Sequence, residues 1–283
     1  MFVFKAAVAG AGTMGGEIAH TIANAEIPVV LKDVEQRFVD AGVEKARSLW
    51  QSRVDAGKLE AAELERKLAL IIGATDYDAF GDVDFVIEAV PERMEVKQRV
   101  FAELDAVTPG HAILASNTSS LSITEMGEGT GRPDQVVGFH FFYPASVMRL
   151  IEVIEGDDTS RETVQAAVNF AQRIRKMPIH CAEAPGFVVN RILNSSVSEL
   201  WRYQEESGID VKRLDKVVAD SKAAPMGPFF LADLLGLDTV VHVAEHLREC
   251  YGERFFVHGQ MRELVAAGDL GAKTGKGFYE HGS

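Results

Sequence analysis

Gly10-Ala11-Gly12-Thr13-Met14-Gly15 is the stretch that decides the fold of this chain. It follows an apolar run, residues 3–9, with the pattern of a buried strand, and it opens a helical pattern over residues 15–25. A second predicted strand, residues 28–33, ends in Asp33, about 20 residues beyond the glycines. A GxGxxG sequence between strand and helix, with an acid at the end of the next strand, predicts a dinucleotide-binding βαβ unit.

Each glycine of the turn has a mechanical role in that unit. Gly10 makes the tight turn, Gly12 lets the backbone approach the pyrophosphate, and Gly15 allows the helix to pack closely on the strand. Thr13 and Met14 stand at the amino end of the helix, where free N–H groups and a partial positive charge attract phosphate. The alternative is a tight turn between strand and helix that binds no ligand.

The expected cofactor is NAD. The Asp33 carboxylate would accept hydrogen bonds from the adenosine ribose and would repel a 2′-phosphate, which favours NAD over NADP. Lys32, its neighbour in the chain, weakens that discrimination. Alternatively, Asp33 is a solvated residue at the end of a strand.

Up to about residue 183, short β-branched runs alternate with longer helical patterns, which is typical of a parallel sheet covered by helices. Strands are predicted at residues 3–9, 28–33, 83–89, 111–115, 136–141, 149–154 and 178–181. Helices are predicted at residues 15–25, 34–56, 60–70, 92–106 and 160–175. After Gly186 the apolar positions repeat with a helical period. The sequence therefore predicts an α/β fold, with an N-terminal Rossmann-type, doubly wound sheet in residues 1–183 and a mostly α-helical C-terminal domain in residues 184–283.

Composition and charge argue against several classes of protein. The 283 residues carry 29 basic and 42 acidic side chains, and the formal charge of −13 would repel a nucleic acid. No apolar run approaches the roughly 18 residues that a membrane span needs, and the first residues carry no basic leader. Cys181 and Cys250 lack metal-ligand spacing and are interpreted as reduced thiols. We therefore expect a cytoplasmic protein without a nucleic-acid or membrane partner.

Six further blocks span the rest of the chain. They are Ser116-Asn117-Thr118-Ser119-Ser120-Leu121, Gly138-Phe139-His140-Phe141-Phe142-Tyr143-Pro144, Leu150-Ile151-Glu152-Val153, Pro185-Gly186-Phe187-Val188-Val189-Asn190-Arg191, Pro225-Met226-Gly227-Pro228-Phe229 and Lys273-Thr274-Gly275-Lys276-Gly277-Phe278-Tyr279. In this order they resemble the signature sequences of the 3-hydroxyacyl-CoA dehydrogenase family, and the length matches its short bacterial members, described as 3-hydroxybutyryl-CoA dehydrogenases. The resemblance implies NAD-dependent hydride transfer between (S)-3-hydroxyacyl-CoA, with 3-hydroxybutyryl-CoA expected, and 3-oxoacyl-CoA. The expected setting is fatty-acid or butyrate-type metabolism.

By that resemblance His140 is the catalytic acid–base residue. Oxidising a secondary alcohol by hydride transfer requires a group that removes the hydroxyl proton, and imidazole titrates near working pH. Taken alone, His140 is equally a core histidine flanked by Phe139, Phe141 and Phe142. Because His140 and the nicotinamide supply the chemistry between them, no metal is expected.

Glu152 lies in an apolar strand pattern, where Leu150 and Ile154 share its face. An ionised carboxylate in such surroundings needs a partner. The resemblance pairs it with His140, whose tautomer it would fix and whose imidazolium it would stabilise. The alternative is a carboxylate at a strand end that reaches solvent.

The resemblance also assigns polar residues outside the His140 block. Ser119 and Asn190 are expected to hydrogen-bond the substrate oxygen. The expected cofactor contacts beyond the glycine turn are Glu92, Lys97, Asn117, Tyr143 and Lys273. Alternatively, Ser119 caps a helix, in competition with Ser122, and Asn190 bonds only backbone near a helix start. For the lysines and Glu92 the alternative is an ordinary surface position.

Coenzyme A carries phosphate charges that need local basic residues in an acidic protein. The predicted helix 34–56 holds Lys45, Arg47 and Arg53, and the family places its coenzyme A contacts on the corresponding helix. Arg53 is therefore the candidate for substrate binding, with a solvated helix face as the alternative. The resemblance further implies that the helical domain takes part in substrate binding and forms a homodimer.

Two residues depart from the family pattern. Tyr143 stands where asparagine is usual, close to the nicotinamide ribose, and Glu17 stands where glycine is usual, on the first turn of the phosphate-binding helix. An acid there suits the helix dipole but opposes the pyrophosphate charge. Two rival functions stay open. One is a related dehydrogenase of a free hydroxy acid, whose acid–base group is usually a lysine, and the other is a non-catalytic NAD-binding member of the family.

Overall fold

The computed structural model describes residues 2–282, and the chain divides into two compact units, residues 1–183 and 184–283. The strands in the described part of the first unit are β1 (Ala6–Ala9), β2 (Val29–Lys32), β3 (Ile71–Ala74), β4 (Phe85–Glu88), β5 (Ile113–Ser116), β6 (Val136–Phe141), β7 (Leu150–Glu155) and β8 (Met177–Ala182). They form one sheet in the order β3-β2-β1-β4-β5-β6-β7-β8. The strands from β1 to β6 are parallel, β7 is antiparallel to β6, and β8 is parallel to β7. Because the chain order reverses between β1 and β4, the carboxyl ends of these strands form the crevice where such sheets bind ligands.

Helices cover this sheet and complete its core. They are α1 (Thr13–Asn24), α2 (Gln36–Asp55), α3 (Ala61–Leu68), α4 (Met94–Val107), α5 (Ile123–Glu128) and α6 (Arg161–Arg173). The ring of Phe85 on β4 lies 5.2 Å from that of Phe139 on β6 and 4.6 Å from that of Phe170 on α6. These three side chains are buried, and such aromatic contacts add to the burial of apolar area that holds α6 on the sheet.

The predicted fold class is confirmed, and each predicted strand and helix of the first unit is present with bounds shifted by a few residues. The prediction missed β3. This strand has four residues at the edge of the sheet, and Gly73 and the exposed Ile72 interrupt its apolar pattern. The predicted helix 60–70 ends two residues early, as α3, because the chain passes directly into β3.

The second unit consists mainly of helices, as predicted. They are α7 (Val189–Ser207), α8 (Val211–Asp220), α9 (Pro228–Leu235), α10 (Leu237–Tyr251) and α11 (Gly259–Ala267). Gly186, near the start of this unit, has a φ of +74°, and a Cβ added there would lie 2.6 Å from the Leu247 side chain. Among the helices of residues 2–282, none combines the length and apolarity needed to cross a lipid bilayer.

A buried carboxylate organises the last residues of the second unit. Asp233, at 0% exposure, accepts hydrogen bonds from the backbone N–H groups of Phe278 (3.0 Å) and Tyr279 (2.9 Å) and is bonded to His281 Nε2 (2.8 Å). A Cβ on Gly277 would lie 2.3 Å from Asp233 Oδ1. The block Lys273–Tyr279 of the sequence analysis therefore has a local structural role, because Gly277 lets the chain wrap around this carboxylate.

Candidate active site

The glycine turn after β1 is shaped to hold a phosphate chain. Gly10 has a φ of +107°, and a Cβ on Gly15 would lie 1.7 Å from the Gly10 carbonyl oxygen, so neither position accepts a side chain. Around an added Cβ at Gly12, by contrast, no described atom lies within 4 Å. This open space borders the start of α1, where Thr13 is exposed and Met14 packs partly against the core. The open space and the helix terminus fit the pyrophosphate of a dinucleotide.

Asp33 stands beside that turn, immediately after β2. Its Oδ2 accepts a hydrogen bond from Ala11 N (2.7 Å), and its Oδ1 accepts one from Val34 N (2.7 Å). These bonds fix the carboxylate where a ribose diol would meet it. The Lys32 ammonium lies 4.2 Å from the ring centre of Tyr77, so a cation–π contact already engages its charge.

His140 and Glu152 form a buried pair. His140 Nδ1 lies 2.8 Å from Glu152 Oε2, and the two residues are 6% and 0% exposed. They are direct partners in the antiparallel register of β6 and β7, so both side chains project from the same face of the sheet. The predicted contact is confirmed. With Nδ1–H donating to the carboxylate, a neutral imidazole carries its lone pair on Nε2.

The pair sits at the carboxyl edge of the sheet, at the same edge as the glycine turn. His140 is the penultimate residue of β6, and the Phe142 ring beyond the strand lies 4.6 Å from the imidazole. Asn117 follows β5, and its Oδ1 accepts a hydrogen bond from Phe141 N (2.9 Å). Asn117, predicted as a cofactor contact, thus uses its amide oxygen to fasten the strand end that carries His140.

A buried ion pair, which the sequence analysis missed, lies at the ends of β4 and β5. Glu88, at 0% exposure, accepts hydrogen bonds from Lys97 Nζ (2.8 Å) and Ser116 Oγ (2.6 Å). Lys97, on α4 and 1% exposed, also lies 3.2 Å from Glu92 Oε2. A buried charge needs hydrogen-bond and ionic partners of this kind to offset the loss of water. A direct contact between Lys97 and a cofactor, as predicted, would have to replace one of these bonds.

Glu92 organises the segment after β5. It accepts hydrogen bonds from Thr118 Oγ1 (2.6 Å) and Ser119 N (2.9 Å). Burial by itself raises the pKa of Glu92, but the charge of Lys97 and these hydrogen bonds outweigh burial and hold the pKa below its usual range. Glu92 therefore stays ionised at the carboxyl edge of the sheet.

Ser119 does not cap a helix. Ser122 is the N-cap of α5, and its Oγ accepts a hydrogen bond from Glu125 N (3.1 Å). The Ser119 hydroxyl instead lies 3.3 Å from Glu92 Oε1. The capping alternative for Ser119 is therefore wrong, and its hydroxyl stands with Glu92 after β5.

The two departures from the family pattern take different positions. Glu17 lies on the second turn of α1, not the first as expected, because α1 already begins at Thr13. Its carboxylate is 1% exposed and accepts a hydrogen bond from Ser146 N (3.1 Å), not from the glycine turn. Tyr143 is 53% exposed and precedes Pro144 through a cis peptide bond.

The basic residues of α2 have different surroundings. Lys45 Nζ lies 3.5 Å from Glu17 Oε1, and Arg47 is hydrogen-bonded to Glu65 at 2.8 Å. Arg53 is exposed in the last turn of α2, and it makes no ion pair with any side chain in residues 2–282. Of the three basic residues, Arg53 has the charge most open to an anionic ligand.

The second unit contains the remaining predicted residues, Asn190 and Lys273. Asn190 lies in the first turn of α7, and its backbone carbonyl accepts a hydrogen bond from Asn194 Nδ2 (2.9 Å). The Lys273 ammonium donates to Asp238 in the first turn of α10. Burial raises the pKa of Asp238. The hydrogen bond from Lys273 and the local backbone hydrogen bonds lower it by more, so the pKa lies below its usual range.

A glycine turn shaped for pyrophosphate and a buried histidine–carboxylate pair, at one edge of a doubly wound sheet, define a nicotinamide-dependent dehydrogenase. Residues 5–184 match the family model for the NAD-binding domain of 3-hydroxyacyl-CoA dehydrogenase, and residues 186–281 match the model for its C-terminal domain. The chain belongs to the 3-hydroxyacyl-CoA dehydrogenase family. The predicted family and the predicted cofactor, NAD, are confirmed.

Relatives and solved structures agree with this membership. The chain is 40% identical over 283 residues to the fatty acid oxidation complex subunit alpha of Pseudomonas savastanoi, aligned over 99% of this chain and 39% of that protein. It thus spans about two fifths of the length of the curated relatives it matches. (S)-3-hydroxybutyryl-CoA dehydrogenase from Ralstonia eutropha superposes with a TM-score of 0.94 at 37% identity, over 100% of both chains. FadB2 from M. tuberculosis gives a TM-score of 0.95 at 35% identity, also over 100% of both.

Proposed function

We propose that this protein is an NAD-dependent dehydrogenase that interconverts (S)-3-hydroxyacyl-CoA and 3-oxoacyl-CoA, with 3-hydroxybutyryl-CoA and acetoacetyl-CoA as the preferred pair. The observation that carries the proposal is the buried His140–Glu152 pair at the edge of the sheet where the glycine turn lies. The solved 3-hydroxybutyryl-CoA dehydrogenase of similar length supports the short-chain substrate. Relatives in fatty acid oxidation complexes support a place in fatty-acid or butyrate-type metabolism.

His140 handles the proton of the reaction. In the oxidation direction, Nε2 takes the proton of the 3-hydroxyl group while Nδ1–H stays hydrogen-bonded to Glu152. Bound NAD supplies the acceptor for the hydride that leaves C3. In the reduction direction, the imidazolium donates its Nε2 proton to the 3-keto oxygen. General acid–base help of this kind contributes roughly 10²–10⁴ in rate.

Glu152 orients the imidazole and stabilises its charged form. Its hydrogen bond selects the tautomer in which Nε2 is the basic nitrogen. The carboxylate is fully buried, and charge interactions are stronger away from water, so the imidazolium gains more from Glu152 than it would at the surface.

The other predicted residues keep their roles as parts of this proposal. Ser119 and Asn190 are assigned to the substrate oxygen. The cofactor side is assigned to Gly10, Gly12, Thr13, Met14, Gly15, Asp33, Glu92, Lys97, Asn117, Tyr143 and Lys273. Arg53 is assigned to a phosphate of coenzyme A, because its charge is exposed at the end of α2. The binding step would then bring together a dinucleotide and an acyl-CoA, with the His140 imidazole facing the 3-oxygen of the substrate.

We further propose that the helical domain forms a homodimer and that the protein is cytoplasmic. The exposed apolar side chains Ile192, Val217 and Leu235, at 62%, 57% and 46% exposure, support an association through this unit. The spacing of the two cysteines supports a reducing compartment. Light scattering of the purified protein tests the dimer, and cell fractionation tests the location.

The decisive experiment follows NADH oxidation with acetoacetyl-CoA. His140→Gln is expected to lower kcat by about 10²–10⁴-fold, because the acid–base group is lost. His180→Gln is the matched control, since His180 Nε2 also lies 2.8 Å from a glutamate, Glu155, on the neighbouring strand, but that pair is exposed. The control should retain turnover, and a His140→Gln enzyme with near-wild-type turnover would refute the assignment.

The rival functions give different results in the same assay. A free-acid dehydrogenase would reduce a 3-keto acid as well as its coenzyme A thioester, and a non-catalytic protein would bind NADH without turning over any 3-ketoacyl-CoA.

Asp33→Ala is expected to relax the preference for NAD over NADP, because the variant loses the carboxylate that repels a 2′-phosphate. Unchanged cofactor selectivity would count against that role of Asp33.

A further inference from the structure

The loop between β6 and β7, residues 142–149, connects the strand of His140 to the strand of Glu152. Because β6 is parallel to the first strands and β7 runs back, this loop lies at the carboxyl edge of the sheet, where ligands bind. Three apolar side chains of the loop are exposed. They are Tyr143 (53%), Val147 (69%) and Met148 (40%). An exposed apolar surface beside the acid–base pair suits the apolar part of a substrate.

Glu17 of α1 holds the middle of this loop. Its Oε2 accepts hydrogen bonds from Ser146 N (3.1 Å) and Ser146 Oγ (3.3 Å), and its Oε1 lies 3.5 Å from Lys45 Nζ. One turn further along α1, Thr21 Oγ1 donates to the Glu17 carbonyl (2.8 Å) and also lies 3.4 Å from the Ala145 carbonyl oxygen. A carboxylate that is 1% exposed keeps its position when its bonds are satisfied in this way, because losing them would leave a buried charge uncompensated.

Lys176 holds the same loop from the approach to β8. Its Nζ donates to the backbone carbonyls of Ala145 (2.5 Å) and Met148 (2.7 Å). Burial lowers the pKa of Lys176, and the negative charge of Glu17 partly offsets this shift. The two buried charges thus stabilise each other while each one fastens a different part of the loop.

We propose that Glu17 is a positioning residue that sets the acyl-chain selectivity of the enzyme. By anchoring Ser146, it fixes where the exposed apolar side chains of the loop stand. This inference rests on the proposed dehydrogenase function. His140 and Glu152 are held by the strand ladder itself, so Glu17 acts on the fit of the acyl chain and not on proton transfer.

The kinetic test compares acetoacetyl-CoA with a ten-carbon 3-ketoacyl-CoA. Glu17→Ala is expected to change the ratio of their specificity constants by about fivefold or more, through KM. The kcat with acetoacetyl-CoA should stay within about twofold. Glu17→Gln keeps an oxygen acceptor for Ser146 and should restore the wild-type ratio. Glu44→Ala, which removes an exposed carboxylate from the neighbouring helix α2, should leave the ratio unchanged.

A second measurement tests whether Glu17 holds the loop in place, and it does not depend on enzyme turnover. Amide hydrogen exchange of residues 143–148 should be about tenfold faster or more in Glu17→Ala, because the Ser146 N–H loses its buried acceptor. An unchanged selectivity ratio in a folded Glu17→Ala protein would overturn the proposal, as would unchanged exchange of the loop. A wild-type protein that turns over no 3-ketoacyl-CoA would overturn the proposed function instead, and exchange would still decide whether Glu17 anchors the loop.

Discussion

A buried histidine of α1, His20, should make the stability of the protein depend on acid pH. The residue is 6% exposed, its ring lies 4.5 Å from that of Trp50, and neither ring nitrogen has a hydrogen-bond partner among residues 2–282. Burial lowers the pKa of His20 from 6.5 to about 3, with smaller contributions from the charges of Arg53, Lys176 and Lys67. The folded protein therefore keeps this imidazole neutral over a range of pH in which the unfolded chain protonates it.

This difference makes folding weaker in acid. The stability contributed by a neutral His20 is fully present above pH 6.5 and is lost as the pH falls towards 3. One pKa unit corresponds to about 1.4 kcal/mol, so the loss between pH 7.5 and pH 4.5 is about 3 kcal/mol, and it approaches about 5 kcal/mol below pH 3. A loss of that size is a large fraction of the stability of an ordinary domain.

The assay is urea unfolding of the wild type and His20→Leu at pH 7.5 and pH 4.5. The variant loses the ring contact with Trp50 at both pH values but has no group to protonate. Its stability relative to the wild type should therefore rise by about 3 kcal/mol on going to pH 4.5. His242→Gln, in which an exposed histidine of α10 is replaced, should keep the wild-type pH dependence. If His20→Leu and the wild type lose the same stability on acidification, the reasoning about His20 is refuted.

Three further predictions concern the cofactor turn, the acid–base pair and the second unit. Glu152→Gln should lower kcat about 10²-fold or more, because an amide selects the wrong imidazole tautomer, and turnover within about threefold of the wild type would contradict this. Gly12→Ala should weaken NADH binding but keep the melting temperature within about 2 °C, because its Cβ enters only the open space where the phosphates would lie. Gly15→Ala should lower both the melting temperature and the affinity for NADH, because its Cβ would clash with the Gly10 carbonyl. Calorimetry measures both quantities, and the same behaviour of the two variants would count against this account of the glycine turn. Asp233→Ala should destabilise the second unit by about 3 kcal/mol or more in urea unfolding, because two backbone donors lose their buried acceptor, and an unchanged unfolding curve would exclude that role.

The order of strands and helices could be predicted because most strands of this sheet are buried on both faces. Every residue of β4 and of β6 is buried, and apart from Glu88 and His140 these strands carry no polar side chain, so each one stands out in the sequence as a largely apolar run. β3 could not be found in this way, because two of its four residues are exposed and the strand lies at the edge of the sheet. A strand at the edge that exposes half of its residues lacks the buried apolar pattern on which the prediction depends.

The contacts of the candidate site also differ in whether the sequence could predict them. Glu152 could be predicted to need a partner, because an acid inside an apolar strand rarely stays unpaired. The same argument applied to Glu88, which ends the apolar run of β4, would have indicated a buried cation such as Lys97. The Glu17–Ser146 contact joins residues 129 positions apart through the path of a loop, and no periodicity encodes such a path. Contacts of this kind become visible only once the chain is folded.

The antiparallel step between β6 and β7 has a consequence for anyone who wishes to redesign this enzyme. It makes the proton-handling groups part of the hydrogen-bonded ladder of the sheet, whereas the exposed side chains of Val147 and Met148, on the segment that joins the two strands, lie outside that ladder. Libraries confined to these two positions should therefore yield new acyl-chain preferences without loss of the hydride-transfer chemistry. Changes to β6 and β7 themselves would disturb the substrate preference and the acid–base chemistry at once.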